Sequence, residues 1–141
     1  MKNLTHAHAE DLAHIHSLIE APWEVPWSCQ SYAELLSQAS VYGRGVFEAH
    51  SDSLVSFILY QAQETEVEIL YLATLLSHRR QGIARNLLRF LQENYARIVL
   101  DVCEENAEAL QFYDHLGFVK IAHREKYYKN TFHAFVLEWR R

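Results

Sequence analysis

The stretch of this chain best equipped for chemistry is a basic turn carrying one glycine. Arg79-Arg80-Gln81-Gly82, followed by Ile83, Ala84 and Arg85, links a strand-like run ending in Leu72-Ala73-Thr74 to an amphipathic helical pattern. Free N–H groups at a helix start point outward and carry partial positive charge, so a basic turn placed there suits a phosphate. Gly82 lets the backbone approach an anion closely, and the arginines add charge. The spacing is not that of a P-loop, and the glycines of a dinucleotide fingerprint are missing. Upstream, Glu68 stands on the same strand as Leu72, and strand alternation predicts that residues 68, 70 and 72 share one face.

Other reactive side chains read as structural. His6, His8, His14 and His16 lie close in sequence, but His14 and His16 are two apart on a predicted helix and face different sides. No carboxylate or cysteine completes a site, so no metal is expected and these are read as surface histidines. Cys29 and Cys103 are the only cysteines. They make neither a disulfide framework nor a zinc pattern, and Cys103 reads as a small buried strand residue.

The elements that must position these groups follow from periodicity. A helix is predicted over Ala9–Glu20, with Leu12, Ile15, Leu18 and Ile19 on one face and Glu10 and Asp11 at its positive end. Pro22 and Pro26 break the chain, and Ser28 suits the N-cap of a short helix through Tyr32, Leu35 and Leu36. Strands are predicted at Val46–His50, Leu54–Ala62 and about Val67–Thr74, an antiparallel meander. A helix with Ile83, Leu87, Leu88 and Leu91 inward follows the basic turn. Then come a buried strand, Ile98–Val102, and a helix capped by Asn106 and stopped by Gly117. Phe118–His123 and about Phe132–Trp139 close the chain as strands. This is an α+β (mixed α/β) pattern, a mixed sheet with helices on its faces.

Size and composition agree. A chain of 141 residues is expected to form one domain over 1–141 and to bury about 70% of its unfolded surface. Hydrophobic residues make up 50% and charged residues 22%, which excludes disorder. A formal charge of −5 disfavours non-specific contact with nucleic acid. No apolar run reaches the roughly 20 residues of a membrane span, and the first residues lack a secretory apolar stretch. The expectation is a soluble cytoplasmic protein.

Two segments in order carry a resemblance. Arg79-x-x-Gly82-x-Ala84 resembles the acetyl-CoA pyrophosphate loop, Q/R-x-x-G-x-G/A, of the GNAT N-acetyltransferase superfamily. Asn106 through Phe118 is similar to its N-x-x-A-x-x-x-Y-x-x-x-G-F signature. Within the superfamily, Pro26-Trp27-Ser28 and Tyr127-Tyr128 resemble segments of the ribosomal-protein alanine N-acetyltransferases, which acetylate the N-terminal amine of a protein. The resemblance implies a GNAT fold with a central, mostly antiparallel sheet of six to seven strands flanked by about four helices.

It also implies roles. Leu72, Ala73 and Thr74 would offer main-chain groups to the pantetheine arm of acetyl-CoA. Arg79, Arg80, Gln81, Gly82, Ile83, Ala84 and Arg85 would hold its pyrophosphate, and Asn106 would contact the pantetheine region. Tyr113 falls on the tyrosine that protonates the departing thiolate. Asp101 stands where the alanine acetyltransferases carry a glutamate base; its carboxylate is one methylene shorter, which leaves a water relay as its route. Glu68 is the second base candidate, and Tyr127 and Tyr128 are candidate walls for the acceptor. The link Lys129-Asn130-Thr131-Phe132-His133 is shorter than that family's loop and lacks its acidic residue. The acceptor the resemblance implies is a primary amine, foremost a protein N-terminus, with a small amine or a lysine side chain as the alternative. A CoA-binding module without catalysis is a third reading, and the sequence leaves the oligomeric state open.

Overall fold

The computed structural model describes residues 1–129 and 131–141, so Asn130, within the predicted link, lies outside the described residues. In chain order the elements are β1 (Lys2–Leu4), α1 (Ala9–Ser17), α2 (Cys29–Leu36), β2 (Val41–Phe47), β3 (Leu54–Gln63) and β4 (Glu66–Thr74). There follow α3 (Ile83–Asn94), β5 (Arg97–Cys103), α4 (Ala107–His115), β6 (Val119–Tyr128) and β7 (Phe132–Arg140). The strands form one seven-stranded sheet of order β1-β2-β3-β4-β5-β7-β6. Every neighbouring pair is antiparallel except β4 with β5, so the expected mixed sheet and its helix count are present.

Helices cover both faces, each over its own core. Leu87, Leu88 and Leu91 of α3 and Tyr113 of α4 pack with Ile58, Tyr60, Val67, Ile69, Ile98 and Leu100. Leu12 and Ile15 of α1 and Tyr32 of α2 pack on the other face with Phe57, Leu59 and Ala73. Strand β3 is buried from Leu54 to Tyr60 without alternation, because both of its faces are covered.

Several boundaries differ from the sequence reading for local reasons. Helix α1 stops at Ser17 rather than Glu20: Leu18 and Ile19 donate to the carbonyls of Ile15 and His16, three residues back, and the tightened turn ends the helix ahead of Pro22. Strand β2 begins at Val41 and ends at Phe47, where Glu48 and Ser53 close a turn through a 2.8 Å bond. Its inward positions include Gly43 and Gly45, which hide the apolar alternation. Those glycines also seat β1, which the sequence reading missed: a Cβ at Gly45 would fall 2.6 Å from Leu54 Cδ1 and 3.0 Å from Leu4 Cδ2.

Candidate active site

Two irregularities in the sheet create the site. Strands β4 and β5 pair only from Glu66↔Arg97 to Glu68↔Val99, and beyond that they part. Opposite β3, Leu59 faces Tyr71 while Tyr60 faces Ile69, so Leu70 is the extra residue of a bulge. A bulge re-aims the side chains beyond it. Leu70 and Tyr71 therefore both pack with the α1/α2 core, whereas Leu72 packs with the α3/α4 core. This corrects the alternation argument, since residues 68, 70 and 72 do not share one face.

The parted strands flank a cleft of about 830 Å³. Its walls include Glu68, Leu72, Asp101, Asn106, Tyr113, Tyr127 and Tyr128, brought together from four elements. Ala73, Thr74 and the basic turn lie beyond this wall. Ala73 is buried, the Thr74 hydroxyl shares a 2.8 Å bond with Ser56 Oγ, and the Thr74 carbonyl accepts from Arg79 Nε at 3.2 Å. Arg79 thus braces the end of β4 through its Nε.

At the turn, Gly82 adopts φ +78°, the left-handed region, as N-cap of α3, and Arg80 is also left-handed at φ 63°. An added Cβ at Gly82 would meet nothing within 4 Å. No described side chain caps α3, and its first backbone bond runs from Asn86 N–H to the Gly82 carbonyl. The helix start is therefore open and electropositive.

On β5 and α4 the polar groups are differently disposed. Asn106 Oδ1 accepts from Ala109 N–H at 3.1 Å and so caps α4, leaving its Nδ2 as the donor it can turn to the cleft. The Tyr113 ring packs edge-on against Phe112 and Phe118. Burial pushes its phenol pKa well above the ordinary value, and no described residue bonds its hydroxyl. Asp101 Oδ1 lies 3.5 Å from Arg124 Nε; the contact is one of charge, since that buried oxygen makes no hydrogen bond. Tyr127 has its pKa raised by burial first, then by the charge and hydrogen bond of Asp101. Tyr128 donates its O–H to the Asp101 carbonyl at 3.3 Å.

The α1/α2 side of the cleft holds a cluster that sequence reasoning missed. His16 is 1% exposed, not a surface histidine. Its ring stacks on Tyr71 at 4.0 Å between centroids and meets the edge of Trp27. Glu24 accepts the Tyr71 O–H at 2.5 Å. The signal available in sequence was the polar and aromatic mixture His16, Trp23, Glu24 and Trp27 around two prolines, but nothing local announced the bulge that brings Tyr71 to meet it.

The sequence profile described as Acetyltransferase (GNAT) family matches residues 12–118. The chain belongs to the GNAT acetyltransferase family. It is 25% identical over 136 residues to the ribosomal protein bS18-alanine N-acetyltransferase of Escherichia coli strain K12, covering 93% of this chain and 90% of that one. The crystal structure of the ribosomal-protein-S18-alanine N-acetyltransferase from Escherichia coli superposes with a TM-score of 0.85 at 22% identity, over 99% of this chain and 91% of that one. Arabidopsis thaliana NAA60 in complex with a bisubstrate analogue superposes with a TM-score of 0.82 at 16% identity, over 99% and 95%. This GNAT chain is an acetyltransferase by family, and its fold is the GNAT fold.

Proposed function

We propose that the protein transfers the acetyl group of acetyl-CoA to a primary amine, foremost the α-amine of a protein N-terminus. The observation that carries this reading is the parting of β4 and β5 beside an uncapped, glycine-opened helix start. An extended ligand with a diphosphate at one end and a thioester at the other suits that geometry. The N–H groups at Gly82, Ile83, Ala84 and Arg85, with Arg80 and Gln81 beside them, would hold the diphosphate. Main-chain groups of β4 near Leu72 and the Asn106 Nδ2 would line the pantetheine arm. The similarity to ribosomal protein bS18-alanine N-acetyltransferases supports the acceptor assignment.

Acetyl-CoA supplies the carbonyl that the amine attacks and the thiolate that leaves. The amine must first lose a proton. Asp101, one methylene short of glutamate and engaged by Arg124 and Tyr127, takes that proton through a water, with Glu68 across the gap as the competing base. Tyr113, kept neutral by burial, directs its O–H toward the departing sulfur. Most of the acceleration comes from holding amine and thioester together between the two strands. Cys103 is buried with its thiol pKa raised by that burial, so it is no nucleophile.

The test is thiol release from acetyl-CoA over N-terminal peptides, lysine peptides and polyamines, with calorimetry for acetyl-CoA binding. N-terminal peptides beginning in alanine are expected to turn over fastest. A preference for polyamines or lysine peptides would reassign the acceptor, and binding without release to any amine would leave a non-catalytic module. Asp101→Asn and Glu68→Gln, compared across pH, identify the base: the true base variant loses the acidic limb of its kcat/KM profile.

A further inference from the structure

Three carboxylates, Glu24, Glu68 and Asp101, line the cleft, and they are not equivalent. Asp101 is matched by Arg124. Glu68 stands on the surface of β4. Glu24 lies in the segment between α1 and α2, its side chain 20% exposed, and its two oxygens have different surroundings.

Oε1 accepts one hydrogen bond and has His16 Nε2, which makes none, beside it. The Tyr71 O–H donates to it at 2.5 Å, and His16 Nε2 stands 3.3 Å away. The tautomer of His16 follows from its partners. The Trp27 N–H, an obligate donor, points to Nδ1 at 3.4 Å, and Tyr32 Oη lies 2.6 Å from the same nitrogen. Nδ1 is therefore the acceptor, and in the neutral ring Nε2 carries the proton that faces Glu24. Oε2, by contrast, is bonded by no described residue and is not among the buried atoms left without a partner. No described lysine or arginine pairs with Glu24, although Lys129 lines the same cleft. A carboxylate with one oxygen fastened by the Tyr71 hydroxyl, and the other bonded by no described residue in a side chain that lines the cleft, is a receptor for a cation.

We propose that Glu24 Oε2 binds the ammonium group of the incoming acceptor, with Tyr71, stacked on His16, as the positioning residue that fixes the carboxylate. This deepens the amine-acetyltransferase reading and rests on it. Glu24 holds the protonated amine as it enters; the proton then passes to the base, and the neutral amine moves onto the thioester carbonyl. Asp101, Glu24 and Tyr128 line the same cleft, so one amine nitrogen can pass between the two carboxylates.

Steady-state kinetics with an alanine-initiated peptide test the idea. Glu24→Gln keeps the size and the acceptor oxygen for Tyr71 but removes the charge, and is expected to raise the acceptor KM about tenfold or more. Its kcat should stay within about threefold and its affinity for acetyl-CoA should be unchanged by calorimetry. Tyr71→Phe should raise the acceptor KM less, and Tyr71→Phe combined with Glu24→Gln should be no worse than Glu24→Gln alone, because Tyr71 acts through that carboxylate. An unchanged acceptor KM in Glu24→Gln, with transfer by the parent enzyme intact, overturns this proposal alone. Absence of transfer by the parent to any amine overturns the acetyltransferase reading along with it.

Discussion

Tyr113 and Asp101 illustrate what single residues give away. The resemblance singled out both by their spacing from Asn106, whose capping role is local and legible, and both line the cleft. Tyr71 and Glu24 were not. They lie 47 residues apart, and their meeting depends on one bulged residue in β4. Burial holds the Tyr113 phenol neutral through the whole neutral and moderately alkaline range. Tyr113→Phe should lower kcat about 100-fold, within the usual range for losing a positioned proton donor. Its acetyl-CoA affinity should stay nearly unchanged, as calorimetry beside thiol-release kinetics will show. The alkaline limb of the parent's pH profile, for the same reason, should not report this phenol.

At the scale of elements, periodicity revealed helices and strands wherever side chains mark the inner face, as in α3 with Leu87, Leu88 and Leu91. It failed where glycine marks it. Strand β2 turns Gly43 and Gly45 inward so that Leu4 of β1 can seat against them, and a missing side chain leaves no hydrophobic signal. Gly45→Val should crowd Leu4 and Leu54 and lower stability by about 1–3 kcal/mol in urea unfolding. Gly82→Ala faces a different cost. Space around that carbon is open, so the loss is the left-handed backbone strain, about 1 kcal/mol. The variant should fold, and calorimetry should show a weaker grip on acetyl-CoA from the altered turn.

For the molecule as a whole, the sheet of mixed direction between paired helices was readable from the order of periodicities, and its strand order includes two parallel helical crossovers, β4 to β5 through α3 and β5 to β6 through α4, with β7 inserted between β5 and β6. The phenols of Tyr32, Tyr60, Tyr71, Tyr113 and Tyr128 all have pKa values raised, each chiefly by burial. Below about pH 10, the ordinary tyrosine value, folded and unfolded chains are alike neutral at these positions. Above it the unfolded chain releases protons that the folded one retains, so stability should fall as pH climbs toward the raised native values. Melting temperature should therefore decline steeply above about pH 10, and tyrosinate absorbance should appear together with unfolding rather than before it. A melting temperature that is flat through that range would mean these rings are wetter than they stand here.

The short parallel seam has a mechanical consequence. Strand pairing across the seam runs from Glu66↔Arg97 to Glu68↔Val99, continued by the Thr65 carbonyl, which accepts from the Ala96 and Arg97 N–H groups, and aided by Arg97 reaching both Glu66 and Glu138. An occupant lying along the gap would work as a splint, bridging the strands where their own pairing has stopped. Amide hydrogens on β5 and β7 should then exchange more slowly once acetyl-CoA is bound, including those far from any atom it touches, and the enzyme would gain rigidity from the molecule it consumes.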